Sequence, residues 1–179
     1  MTEDEEFRSV NFDKIPTLRP AFSKDGTVTA ANASTINDGA AAMILASAAA
    51  VKRLNLKPLA RIVSFADGEH EPAWFTTAPT IAAPIALKRS GLKVEEIDYF
   101  EVNEAFAVVP MTFAKVMGFD AEKMNIYGGA VAIGHPLGCS GARILTTLTS
   151  VLNNNEARYG MAAICNGGGG ASAMILERV

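Results

Sequence analysis

The chain has 179 residues, enough for one ordinary domain or for half of a two-domain enzyme, and a chain of that length buries roughly 70% of its unfolded surface. Its 49% apolar and 20% charged composition, with a formal charge of only −3, excludes disorder, collagen and a disulfide scaffold, and no apolar run approaches the roughly 20 residues that span a bilayer. Without Lys/Arg blocks there is no electrostatic footprint for nucleic acid or an anionic membrane surface. The two cysteines, Cys139 and Cys165, form no CxxC, and with only two histidines no structural zinc spacing exists. A reduced, intracellular setting follows, and the acidic opening Met1 to Phe7 has the wrong chemistry for a secretory or mitochondrial leader.

After an irregular opening to about Phe22, short apolar runs alternate with longer amphipathic ones, the rhythm of an α/β protein. Gly39 to Val51 divides into a strand over Met43-Ile44-Leu45 and then a helix. Leu59 to Ala66 is a buried strand, and Pro79 to Ser90 is a helix entered through a proline and stopped by Gly91. Ile97 to Val102 is the next strand and runs straight into a helix over Glu104 to Met117. A short strand at Asn125 to Tyr127 precedes a helix over Gly141 to Leu152, and Met161 to Cys165 with Ala171 to Leu176 close the chain as an antiparallel hairpin. The expected architecture is a mixed five-stranded sheet with helices on both faces, its many alanines and glycines implying close backbone approach between layers.

Three loops carry candidate chemistry, each where a strand ends or a helix begins, the usual ligand position in open α/β sheets. Asn103, in Asn103-Glu104-Ala105-Phe106, can present its amide at a strand's carboxyl end, although a helix N-cap is an ordinary use for such a residue. The loop Gly128 to Gly138 surrounds His135 with glycines, and an imidazole there can act as base, acid or hydrogen-bond donor. His70, between Glu69 and Glu71, reads as a surface residue. Cys165 is followed by four glycines whose N–H groups could face an anionic oxygen, the construction of an oxyanion hole, while a buried packing thiol is its bland alternative. Cys139 reads as packing. No Walker loop, GxGxxG or GxSxG is present.

Asn103-Glu104-Ala105-Phe106, Gly134-His135-Pro136 thirty-two residues after the Asn, and Cys165-Asn166-Gly167-Gly168-Gly169 thirty residues after the His together resemble the thiolase family. The resemblance spans essentially the whole chain, includes Gly26 to Ala42, and is to the carboxyl-terminal half of acetoacetyl-CoA thiolases. It implies interconversion of two acetyl-CoA with acetoacetyl-CoA and CoA. It divides the chain into a loop-region tail over residues 1–22 and a carboxyl-terminal domain over 23–179, with the amino-terminal catalytic half absent. It also implies that Asn103 holds a water which, with His135, forms the oxyanion hole for the thioester oxygen. Cys165 becomes the acid/base cysteine, the Gly167 N–H joins a second oxyanion hole, and Ser34 lies along the pantetheine of CoA. In potassium-responsive members the backbone carbonyls matching Ala30, Ala31, Ala33 and Val131 contribute to a K⁺ site. No other cofactor is required.

The family's nucleophilic cysteine has no counterpart here, since no cysteine precedes Cys139. The resemblance therefore implies a chain inactive alone, whose partners are an acyl-CoA, an amino-terminal thiolase half and, when complete, further copies in a homo-oligomer. The alternative is a non-catalytic thiolase-like module that binds an acyl-CoA or a partner chain. The expected setting is mitochondrial or cytoplasmic, and the Glu-Arg-Val ending, which lacks the Ser-Lys-Leu address, lowers the weight of the peroxisome without excluding it.

Overall fold

The computed structural model describes Glu3, Arg8 and residues 10–179, so most of the acidic opening lies outside the described residues. The irregular opening continues to Leu18 around a 3₁₀ turn at Phe12–Thr17. The regular elements then follow as α1 (Ala48–Leu54), β1 (Ala60–Glu69), α2 (Pro79–Ser90), β2 (Tyr99–Val102), α3 (Val108–Met117), α4 (Ala130–Ile133), α5 (Ser140–Asn154), β3 (Tyr159–Cys165) and β4 (Gly170–Arg178). No helix among the described residues is long and apolar enough to cross a membrane.

The sheet has four strands in the order β1-β4-β3-β2. The pair β2 and β3 is parallel, with Val102 opposite Ala163, whereas β3 with β4 and β4 with β1 are antiparallel. The closing hairpin therefore forms as expected, with Cys165 opposite Ala171 at its turn. Strand side chains alternate between faces. Met161 and Ala163 enter the core beneath α2 and α3 with Ala82, Ala83, Phe100, Val109 and Phe113, while Ala162 and Ile164 pack with Ile144, Leu148 and Leu152 of α5. Helices thus cover both faces.

The small residues set the layer spacing. A Cβ on Gly68 of β1 would stand 2.6 Å from the backbone nitrogen of Ala82, and one on Gly160 of β3 would stand 2.6 Å from Cδ1 of Leu148. Glycine at both positions lets helix and strand approach closely, and α2 meets the sheet through fully buried Ala82, Ala83 and Ala86.

Four expectations are corrected. The strand expected over Leu59 to Ala66 forms as β1 but is not buried, because it lies at the margin of the sheet with Ile62 and Phe65 exposed. Met43-Ile44-Leu45 is not a strand; nothing in the described sheet pairs with it, and Ile44 is 93% exposed. Asn125 to Tyr127 is not a strand either, because Asn125 adopts a left-handed backbone (φ 51°) and the pairing with β2 shrinks to a single bridge between Met124 and Phe100. The sheet accordingly has four strands rather than five. Finally, α3 begins at Val108 rather than Glu104, because residues 103–107 form an irregular turn: Phe106 bridges Ala33, and the Ala107 N–H donates to the Asn32 carbonyl.

Candidate active site

The parallel pair β2 and β3 brings its two carboxyl ends to one edge of the sheet. Asn103 directly follows β2, its N–H donating to the Ala163 carbonyl at 2.9 Å, and Cys165 ends β3. Asn103 is therefore not a helix N-cap. It is fully buried, and its Nδ2 lies 3.3 Å from Nε2 of His135, thirty-two residues away.

His135 reaches that position through the short helix α4 and the Gly134 that ends it. Gly134 has φ +87°, in the left-handed region that favours glycine, and a side chain there would collide with Asn37. The His135 N–H donates to the Thr35 carbonyl at 2.8 Å, so residues 34–39 lie across the histidine loop. The ring's other nitrogen, Nδ1, is 2.7 Å from the hydroxyl of Ser140, a fully buried residue at the first position of α5. Only 8% of His135 is exposed, and burial, aided by the charge of Arg143, holds its pKa below the ordinary 6.5.

Asn166 organises the glycine run after Cys165. Its Oδ1 accepts from the N–H groups of Gly168 (3.1 Å) and Gly170 (3.3 Å), its carbonyl accepts from Gly169 (3.2 Å), and its N–H donates to Gly170. Of the four glycine N–H groups, only that of Gly167 has no partner among the described residues, and a Cβ on Gly167 would meet open space. Cys165 itself is 8% exposed, and burial pushes its thiol above the usual range. Both cysteines are free thiols.

A buried ion pair lies behind the asparagine and histidine, and the sequence reading missed it. Glu101, on β2 two residues before Asn103, is 1% exposed, and Arg143 Nη1 on α5 approaches its carboxylate at 3.9 Å. Burial outweighs that attraction and raises Glu101 from the usual 4.5 to about 7, with Glu104 adding to the rise. Among the described residues, the buried side-chain polar atoms without a hydrogen-bond partner all belong to Glu101, Asn103 and Arg143. The signal was a charged residue inside the otherwise apolar strand Tyr99-Phe100-Glu101-Val102.

The other predicted residues fall nearby or apart. Ser34 joins the same region, its N–H and hydroxyl both donating to the Ala105 carbonyl at 3.0 and 2.9 Å. Cys139 packs over Gly39, where a Cβ would lie 3.4 Å from its sulfur, and a cavity of about 400 Å³ opens between residues 37–41 and 136–139. His70 is exposed, with Nδ1 accepting from the Glu71 N–H. Ala30, Ala31 and Ala33 lie in the loop that meets residues 105–107, with Ala33 bridging Phe106, and Val131 lies in α4 with its N–H donating to Glu104. Glu104 steadies the neighbouring loop by accepting from the Val131 N–H and from Asn125 Nδ2.

A sheet whose parallel strand ends present an Asn, a Cys and a glycine-rich turn, met by a His from the loop after α4, has a thiolase-type arrangement, and comparison with known proteins agrees. Residues 56–178 match the family description "Thiolase, C-terminal domain" and residues 1–49 match "Thiolase, N-terminal domain". The chain belongs to the thiolase family. It is 56% identical over 176 residues to the cytosolic acetyl-CoA acetyltransferase ERG10 of Gibberella zeae, covering 98% of this chain and 44% of that protein. It is also 56% identical over 178 residues to the mitochondrial acetyl-CoA acetyltransferase of Bos taurus, covering 99% and 42%. The crystal structure of Acat5 thiolase from Ascaris suum in complex with coenzyme A superposes with a TM-score of 0.95 at 51% identity, covering 100% of this chain and 47% of that one. The chain thus spans under half the length of each of these relatives.

Proposed function

We propose that these residues form the acid/base and oxyanion half of an acetoacetyl-CoA thiolase site. The observation that carries this reading is the convergence of Asn103, His135 and the Cys165–Gly167 turn at the carboxyl ends of β2 and β3. Asn103 and a water it holds, together with His135, bind the thioester oxygen, and the unengaged Gly167 N–H contributes to a second oxyanion site. In thiolysis, an enzyme nucleophile attacks the 3-keto carbon of acetoacetyl-CoA and the C–C bond breaks. The electron pair goes to the acetyl-CoA enolate, whose carbon takes the Cys165 proton. The Cys165 thiolate then removes the proton of the incoming CoA thiol, which attacks the acyl-enzyme and releases the second acetyl-CoA. A buried thiol with a raised pKa starts this sequence in the protonated form that the first transfer needs.

The nucleophile is not among residues 1–179. Cys139 packs against Gly39, and Cys165 is the acid. An amino-terminal thiolase half supplies it, and without it the covalent intermediate cannot form. Ser34 lies along the pantetheine, its oxygen keeping its lone pairs while its proton serves Ala105. The carbonyls of Ala30, Ala31, Ala33 and Val131 would hold K⁺, which would supply charge and rigidity beside the CoA loop rather than chemistry. In the same reading residues 1–22 are the tail of the loop region and 23–179 pack as the carboxyl-terminal domain, since backbone bonds tie Asn32 and Ser34 to residues 105–107, although the amino-terminal family description extends over residues 1–49. The cytosolic and mitochondrial names of its relatives support an intracellular setting, and in this reading the complete protein assembles as a homo-oligomer.

Acetoacetyl-CoA cleavage by the purified chain, with His135→Ala as control, tests this reading. No turnover is expected alone, and turnover is expected when an amino-terminal half is added. Activity of the chain alone that disappears in the control would assign the attack to Cys139 or Cys165 and overturn the proposal.

A further inference from the structure

The chain has ten asparagines, and Asn166 alone among them is followed by a glycine. A side-chain amide can be attacked by the backbone nitrogen of the next residue, and the approach is least hindered where that residue has no Cβ. Asn166, Gly167 and Gly168 are all exposed in the turn between β3 and β4, within reach of water and hydroxide.

The turn also assembles the groups that such an attack requires. The Asn166 Oδ1 accepts from the N–H groups of Gly168 at 3.1 Å and Gly170 at 3.3 Å, which draws the side-chain carbonyl back over the peptide linking residues 166 and 167. The same two donors stabilise negative charge on Oδ1, the charge that develops when a nucleophile adds to Cγ. The nucleophile is the nitrogen of Gly167, whose N–H has no partner among the described residues and is free to give its proton to solvent. A Cβ on Gly170 would stand 2.6 Å from Nδ2 of Asn166, so the glycine at 170 makes room for the folded-back amide.

We propose that Asn166 is a self-modification site: in the folded chain the Gly167 nitrogen attacks the Asn166 amide, and the asparaginyl turn becomes an aspartyl or isoaspartyl one. The Gly167 nitrogen gives its proton to hydroxide and bonds to Cγ. The Cγ–Nδ2 bond breaks, and Nδ2 leaves as ammonia with a proton from water, closing a succinimide. Water then opens the ring. Addition at Cγ restores the original backbone and leaves aspartate, whereas addition at the main-chain carbonyl breaks its bond to Gly167 and leaves isoaspartate, with the chain running through Cγ. Nothing is oxidised or reduced, and water and hydroxide are the only co-reactants. Either product sets a new carboxylate beside the Gly167 N–H. In the function proposed above that N–H serves an oxyanion, so the change would impair the site, but the reaction itself does not depend on that function.

The test involves no turnover, and so fails independently of the thiolase reading. Trypsin cuts after Arg158 and Arg178, and the peptide between them, residues 159–178, contains Asn166 as its only asparagine. The full chain is kept folded in mildly alkaline buffer beside the same chain unfolded in guanidinium chloride, and this peptide is followed by mass spectrometry. The expected result is exchange of ammonia for water at Asn166 at least as fast in the folded chain as in the unfolded one, with isoaspartate in the product detected by enzymatic methylation of its carboxylate. Gly167 lies outside the left-handed region and has open space around it, so Gly167→Ala should fold as the wild type does and react several-fold more slowly, its methyl group shielding the nitrogen. A folded chain that reacts more slowly than the unfolded one, or a Gly167→Ala chain that reacts at the wild-type rate, would overturn the proposal.

Discussion

Glu101 gives the sharpest quantitative prediction, because its carboxyl is buried and its attraction to Arg143 acts across 3.9 Å. Burial raises its pKa from the usual 4.5 to about 7 in spite of that attraction. The native state therefore binds this proton more tightly than the unfolded chain does. Its contribution to stability is full below about pH 4.5 and is lost as the pH climbs through about 7. A tenfold change in proton affinity is worth about 1.4 kcal/mol, so the loss reaches roughly 3 kcal/mol by pH 8. Glu101→Gln has the shape of the protonated acid and never ionises. Urea unfolding followed by far-ultraviolet circular dichroism is expected to find the variant nearly equal to the wild type near pH 4.5 and more stable by roughly 3 kcal/mol near pH 8. A variant less stable at pH 8, or a gap that does not change with pH, would show that the Arg143 ion pair outweighs the cost of burying the charge, and would refute the reasoning.

Other outcomes follow from the same geometry. In a thiolase reconstituted with an amino-terminal half, Cys165→Ser is expected to lower thiolysis on the order of 10²-fold or more, while Cys139→Ala leaves it nearly intact; equal losses would reverse the assignment of the two thiols. Gly134→Ala places a side chain at φ +87° against Asn37 and is expected to cost at least about 1 to 3 kcal/mol in urea unfolding, with an unchanged midpoint counting against a strained turn before His135. Ile44, Leu45 and Phe65 are 93%, 72% and 61% exposed, so sedimentation velocity should show concentration-dependent association of the isolated chain; a monomer throughout would mean that this apolar surface is tolerated by water.

The parts of the fold that were legible are those whose residues face the core on a regular period. The strand at Met161 to Cys165 and the helices after Pro79 and Gly141 lie where apolar periodicity placed them, whereas the strand over Leu59 to Ala66 forms at the sheet margin without the burial its apolar run implied. Met43-Ile44-Leu45 failed because an apolar run implies burial without naming the surface that buries it, and no neighbour covers it here. The helix after Asn103 starts late because residues 32–34, some seventy positions earlier, capture the backbone of 105–107, a contact no local pattern encodes. Asn103 and His135 were legible as separate loop residues, and the structure joins them. The contact of Ser140 with the imidazole was missed because a serine at a helix start looks like ordinary punctuation.

The Asn125 side chain does more than replace a failed strand. Its Oδ1 accepts from the Val102 N–H at 2.8 Å and its Nδ2 donates to the Val102 carbonyl at 2.9 Å, while its own N–H donates to the Phe100 carbonyl. One amide thus occupies the outward hydrogen-bonding groups at the end of β2, the strand at one margin of the sheet. A second polypeptide seeking an unpaired strand to extend finds that margin closed and is left with the opposite one. There β1 runs for ten residues, with Arg61, Asp67 and Glu69 exposed along it and the Phe65 carbonyl already taken by Arg89. Charges along an open strand margin oppose intermolecular pairing. Misassembly of this half is therefore confined to one side of the sheet, the side away from the strand that carries Asn103.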